Sequence, residues 1–168
     1  TPSKTVLVGV PEINKLISAS YNKNPMNETT GFKVGDKVMQ IVNDYSKDVF
    51  NGETGIITSS TDNGVTVKFN SSDITEDIEY STEELDTLTL SYACTCHKAQ
   101  GAEFGSVIVI LDDSNGSFLL NRKLLYTAVS RGKKKVYILA KPECLQSCID
   151  NTYECPRVTK LSSFLKSL

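Results

Sequence analysis

Apolar and polar positions change rhythm several times along the chain. In "TVLVGVPEINKLISASYNKNP" a short apolar run is followed by helical spacing: Ile13, Leu16 and Ile17 share one face. Pro11 suits a first helical turn, and "NKNP" must end the helix. From about residue 32 to 87 the rhythm shortens. "FKVGDKVMQIVNDY", "GIITSS", "GVTVKF" and "IEYSTEELDTL" are brief, rich in Val and Ile, and partly alternating. Gly-Asp, Asn-Gly and Asp-Asn-Gly turns divide them, which predicts a small antiparallel barrel or meander.

After residue 87 the style changes again. "TLTLSYA" predicts a strand, and "HKAQG" a turn. "SVIVIL" (Ser106 to Leu111) is almost wholly apolar, as expected of a parallel strand buried on both faces. Leu120, Leu124, Leu125 and Ala128 recur at helical intervals, and "KKVYILA" (Lys134 to Ala140) predicts another buried strand. Strand, helix and strand joined by short loops form a βαβ unit. The tail predicts one or two short helices. The fold class is therefore α/β: a parallel-sheet domain made of residues 1–31 and 88–168, interrupted by a small β insertion at 32–87.

Length and composition fit one globular domain or two small ones. The chain has 168 residues, 39% hydrophobic and 23% charged. It opens on Thr in mid-pattern, with no visible signal peptide, so we expect a segment of a longer cytoplasmic protein. No apolar run is long enough to span a bilayer. The net charge of −2 does not advertise a nucleic-acid partner, but its distribution is uneven. Between Asn70 and Asp86 there are seven acidic residues and no basic one, whereas basic residues prevail from His97 to Lys135. The five cysteines, spaced CxC, CxxxC and one alone, fit reduced thiols better than a four-ligand zinc site. Cys94 and Cys96 are expected to be buried and inert.

Two stretches carry candidate chemistry. In "AVSRGKKK", Arg131 closes a predicted helix, where its planar fork is able to bind phosphate oxygens in pairs. The plain alternative is a solvated basic turn favoured by the helix dipole. In "TCHKAQGAEF", Thr95 and His97 alternate, so on a strand they would point the same way toward a sugar–phosphate backbone. Gln100 and Gly101 form a corner, and Glu103 is suited to accept from a ribose hydroxyl.

Taken together, "LSYACTCHKAQGAEF…VIVIL…LLYTAVSRGKKKVYIL" resembles motifs V and VI of superfamily-one helicases. "VGDKVMQIVNDYSKDVFNGETGII" resembles the fourth motif region of the RecD-like branch, the exodeoxyribonuclease V alpha-subunit type. The resemblance implies a RecA-like second motor lobe, of the P-loop-NTPase type, with an SH3-like barrel inserted at 32–87. It implies 5′ to 3′ travel on single-stranded DNA, driven by ATP and Mg²⁺. Arg131 matches the finger that reaches the γ-phosphate. Gln100, Gly101 and Glu103 match positions that couple DNA to nucleotide. Thr95, His97 and Lys98 match the DNA track, with Asn43, Tyr45 and Asn51 as the barrel's contacts. Tyr126 and Thr127 share Arg131's motif with weaker claims. Two departures stand out: Cys94 stands where a small residue or Thr is expected and Cys96 where a β-branched apolar residue is, and the acidic belt from Asp73 to Asp86 should face away from the DNA channel, or this barrel contacts DNA less than its relatives do.

GxxxxGK[ST], the phosphate-cradling loop, does not occur in this sequence. "VIVILDD" looks like a metal-binding strand end, but without that loop its carboxylates read better as caps of a strand. The expected partners are thus single-stranded DNA and an N-terminal RecA-like lobe of the same parent, with repair or conjugation subunits beyond them and no membrane. Alone, the chain should not hydrolyse ATP. The alternatives are a non-catalytic nucleic-acid-binding module, a protein-interaction domain of a repair or conjugation complex, and a zinc-bearing regulatory domain.

Overall fold

A computed structural model describes residues 9–70, 76–112 and 120–152. Helix α1 (Val10–Tyr21) precedes an antiparallel unit of β1 (Lys37–Gln40), β2 (Thr54–Thr61), β3 (Gly64–Phe69), β4 (Ile78–Ser81), a 3₁₀ turn (Thr82–Thr87) and β5 (Leu88–Leu90). Then follow β6 (Phe104–Ile110), α2 (Arg122–Val129), β7 (Gly132–Leu139) and α3 (Pro142–Asp150). The expected opening strand, the end of the tail, Asp73, Asp113 and Cys155 lie outside the described residues.

The antiparallel sheet has the order β4-β3-β2-β1-β5. Period-2 alternation builds it: Val65, Val67 and Phe69 of β3 point inward with Ile57 of β2 and Val38 of β1. Tyr80, Leu88, Val49 and Phe32 complete that core. The Tyr80 hydroxyl donates to Gln40 Oε1 at 3.1 Å, and burial pushes its pKa well up, so it remains a phenol. Strand β5 pairs with β1 through Val38↔Leu90 and Gln40↔Leu88, so the antiparallel sheet extends past residue 87.

Gly64 closes the β2–β3 hairpin at a φ of 149°, a region that side chains rarely adopt. A Cβ there would lie 1.9 Å from the Tyr80 carbonyl oxygen, on the backbone of β4. Gly64→Ala must therefore push β4 off β3. We expect a stability loss of about 2 kcal/mol or more by chemical denaturation, combining backbone strain with lost ladder bonds. A loss within about 0.5 kcal/mol, ordinary for a surface change, would contradict this fit.

Helix α1 departs from expectation. Leu16 is 64% exposed, whereas Asn14 and Ser18 are buried. The helix docks by hydrogen bonds instead of by an apolar stripe. Asn14 Nδ2 donates to the carbonyls of Leu90 (2.7 Å) and Ala93 (3.0 Å), and its Oδ1 accepts from the Ala93 amide at 2.6 Å.

Strands β6 and β7 pair in parallel, with Val107↔Val136 and Val109↔Ile138 in register. Helix α2 connects them, as the βαβ spacing predicted. Asn121 caps α2 by accepting from the Leu124 amide at 2.9 Å. Val109, Leu111, Leu120, Cys144 and Cys148 form the core here, flanked by Leu124, Leu125 and Ala128. Burial on both faces is not what the described residues show: Ile108 is 64% exposed and most of β7 is open. Helices α2 and α3 cover one face only, which is why alternate residues of β6 stay accessible.

Candidate nucleic-acid interface and nucleotide edge

Beyond β5 the chain does not continue as a strand. Residues 96–101 form a turn, so Thr95 and His97 do not alternate along an extended segment as expected. The cause is local. Asn14 takes both backbone groups of Ala93, and Thr95 Oγ1 accepts from the Lys98 amide at 3.3 Å. The Thr95 and His97 carbonyls then accept from Ala99 and Gln100, each at 3.2 Å, and the backbone curls. Gly101 turns the corner at a φ of 84° with open space around it, so backbone conformation is the reason for glycine here. His97, Lys98, Gln100 and Glu103 are all exposed.

Arg131 follows the end of α2 and lies against this corner. Its Nε donates to the Thr127 carbonyl (3.1 Å), Nη1 to the Ala102 carbonyl (3.2 Å) and Nη2 to Ser130 Oγ (3.0 Å). The Arg131 carbonyl in turn accepts from the Phe104 amide at 2.8 Å. Every partner of the guanidinium is neutral, and among the described residues it makes no ion pair. Its charge is held in place without being cancelled. Thr127 Oγ1 bonds back to the Lys123 carbonyl, and Tyr126 is exposed on the same helix.

Glu103 is committed elsewhere. Lys133 Nζ approaches its Oε2 at 2.8 Å, and that bond, with a smaller contribution from Arg131, holds the Glu103 carboxyl below its usual range. Both partners are exposed, so the pair exchanges readily.

The antiparallel unit meets this turn through one loop. Lys98 Nζ donates to Asn51 Oδ1, the Asn51 amide donates to Asn43 Oδ1 at 2.9 Å, and Asn43 Nδ2 reaches the Tyr45 hydroxyl at 3.5 Å. Four of the six candidate DNA residues thus form one chain of contacts, and Thr95 shares the turn with Lys98. Part of the acidic belt borders this loop. Lys47 draws Glu84 to it at 2.5 Å and holds the Glu84 carboxyl below its usual range. Asp77 is taken up by Thr58 at 2.8 Å.

Cys94 and Cys96 are half-buried rather than buried, and burial raises both thiols. Neutral thiols are poor metal ligands. Among the described residues no group of three or more His, Cys, Asp or Glu is placed to hold a metal ion. No helix among them is long and apolar enough to cross a membrane. Sequence reasoning missed Lys133, Asn14 and Phe50. The signal for Asn14 was a polar residue every four positions, Asn14, Ser18 and Asn22, along α1 and its C-cap; Phe50 offered none.

Known proteins share these parts. Residues 13–69 match the SH3 domain of ATP-dependent RecD-like DNA helicases, and residues 90–139 the UvrD-like helicase C-terminal domain. The ATP-dependent RecD2 DNA helicase of Deinococcus radiodurans is 31% identical over 140 residues, 82% of this chain and 19% of that protein. The RecBCD enzyme subunit RecD of Mycolicibacterium smegmatis is 31% identical over 133 residues, 79% of this chain and 22% of that protein. The chain thus spans about a fifth of the length of these relatives. Among solved structures, Bacteroides Pif1 helicase in complex with ADP-AlF3 and ssDNA superposes with a TM-score of 0.57. The match covers 99% of this chain and 47% of that one at 18% identity, a likeness of fold. Bacteroides Pif1 bound to ssDNA gives 0.56 at 21% identity, covering 93% and 43%.

Proposed function

The chain belongs to the RecD-like DNA helicases, and on that premise we propose that it is the second motor lobe of an ATP-driven, 5′ to 3′ translocase on single-stranded DNA. Residues 1–31 and 88–168 make the lobe, and 32–87 the SH3-like insertion, with β5 as the seam through its bonds to β1. An N-terminal RecA-like lobe of the same parent supplies the phosphate loop. On its own this chain does not turn over ATP.

The observation that carries the reading is Arg131 Nη1 on the Ala102 carbonyl at 3.2 Å, in the corner made by Gln100, Gly101 and Glu103. A guanidinium bound only by neutral acceptors retains its charge for a phosphate arriving from outside. Arg131 is the catalytic finger. Gln100, Gly101 and Glu103 line the nucleotide edge, and Glu103 exchanges Lys133 for a ribose hydroxyl. ATP supplies the phosphoanhydride whose cleavage drives movement. Mg²⁺ goes with the phosphate loop on the opposing lobe. Thr95, His97 and Lys98 hold the sugar–phosphate backbone, and Asn43, Tyr45 and Asn51 extend that track onto the insertion. Because Arg131 and Lys98 flank one short turn, closure on nucleotide moves the DNA track as well. The function is cytoplasmic DNA processing, with repair or conjugation subunits as further partners.

The full-length parent tests this. Oligo-dT should stimulate its ATP turnover, and it should unwind duplexes with a 5′ tail but not those with only a 3′ tail. Turnover indifferent to single-stranded DNA would end the reading.

A further inference from the structure

The loop that carries Asn43 and Asn51 also displays two aromatic rings. Tyr45 is 79% exposed and Phe50 is 41% exposed. Their centroids lie 6.0 Å apart at an interplanar angle of 76°. Two rings at a right angle make a bracket: a planar group laid flat on one presents its edge to the face of the other, the geometry aromatic groups favour.

The bracket is built before any ligand arrives. Asp44 and Val49 exchange backbone bonds at 2.8 and 3.0 Å. Asp44 Oδ1 accepts from the Ser46 hydroxyl (2.6 Å) and from the amides of Ser46 (2.9 Å) and Lys47 (3.2 Å). These bonds, the hydroxyl's first, hold its carboxyl below the usual range. Glu53 Oε2 accepts from the Phe50 amide at 2.9 Å, and Val49 is fully buried in the core beneath. Exposed rings on a loop this constrained lose little freedom on binding.

The neighbours identify the occupant. Asn51, next to Phe50, receives the Lys98 ammonium, so a cation stands one residue from the ring. Aromatic faces beside a cation suit a base with its phosphate, and only unpaired strands offer a free base face. We propose that Phe50, with Tyr45, stacks on one base of single-stranded nucleic acid, whose adjoining phosphate takes Lys98 from Asn51. The proposal rests on the DNA track described above and adds to it a base-contacting residue. Asp44 and Glu53 are occupied by loop amides, and Asp48 is exposed, so the bracket's affinity comes from ring contact and not from charge.

The test uses the full-length parent, fluorescently labelled oligo-dT and an abasic oligonucleotide of equal length. Phe50→Ala should weaken oligo-dT binding roughly 5- to 100-fold, the range for loss of one stacked base, and leave the abasic strand unaffected. Phe50→Leu, which keeps an apolar side chain, should lose most of the same preference, and Phe50→Trp should retain it. Equal losses on both strands mean that Phe50 only shapes the loop, and no loss on either means another occupant, such as a protein; both outcomes overturn the proposal. Failure of the wild-type protein to bind either strand would instead remove the DNA track itself.

Discussion

Arg131→Ala in the full-length parent is expected to lower DNA-stimulated ATP turnover by about three orders of magnitude while DNA binding stays within a few-fold of wild type. The magnitude is that of an arginine supplying charge to a phosphoryl-transfer transition state. The geometry explains why so much should rest on one side chain. The three guanidinium hydrogen bonds end on neutral oxygens, those of Thr127, Ala102 and Ser130. A carboxylate partner would have absorbed the charge, and the nearby Glu103 is engaged by Lys133. The bonds lost on truncation lie at a half-exposed position, where water replaces them, so folding should change by about 1 kcal/mol. Arg131→Lys separates charge from geometry. An ammonium cannot bridge three acceptors in a plane, so activity should recover only in part. A loss below about tenfold for the alanine variant would show that Arg131 is merely a helix-terminal cation.

The sequence carried the α/β class and the crossover clearly, because each rests on a short-range rhythm. The apolar runs of β6 and β7 and the helical spacing of Leu120, Leu124, Leu125 and Ala128 state their partners locally. What escaped were features set by distant hydrogen bonds. Asn14 sits 79 residues from Ala93, and nothing near either residue announces the bond that stops the strand there. With that strand stopped, Thr95 and His97 turn instead of alternating. The same long reach defeated the apolar reading of α1, whose Leu16 is open while its polar residues are buried. Arg131 was singled out by its motif, whereas its position against Ala102 follows from the fold: the parallel register brings Phe104 opposite Gly132.

The residue on which the docking of α1 depends most is Asp36, and Asp36→Ala is expected to cost about 3 to 5 kcal/mol. Asp36 is 1% exposed. Its Oδ1 accepts from Ser18 Oγ (2.8 Å), Asn22 Nδ2 (2.9 Å) and the Tyr92 hydroxyl (2.9 Å), and its Oδ2 from the Lys33 amide (3.0 Å). Four donors from α1, the turn before β1 and the segment after β5 converge on one carboxylate. Removing it strands the Ser18 and Asn22 donors in buried positions and the other two in half-buried ones, and each buried donor left unpaired costs about 1 kcal/mol or more. Burial, the largest cause, raises the Tyr92 pKa and persists without Asp36, so the phenol stays a donor and cannot relieve the others by ionising. Lys33 Nζ, on the carbonyls of Ser18 and Asn22, would lose its footing as those side chains move. A domain with a stability of about 5 to 15 kcal/mol survives this narrowly or not at all. Chemical denaturation measures the loss, and a cost under about 1 kcal/mol would mean that the cluster opens to water. If the variant folds, Ser18→Ala added to it should cost almost nothing more, since the acceptor is already gone. The effect should also reach the proposed DNA track. Tyr92 leads into Ala93, which Asn14 holds, and Ala93 leads into the turn of Thr95 and Lys98. Loosening Asp36 should therefore weaken single-stranded DNA binding from a buried position outside the proposed track.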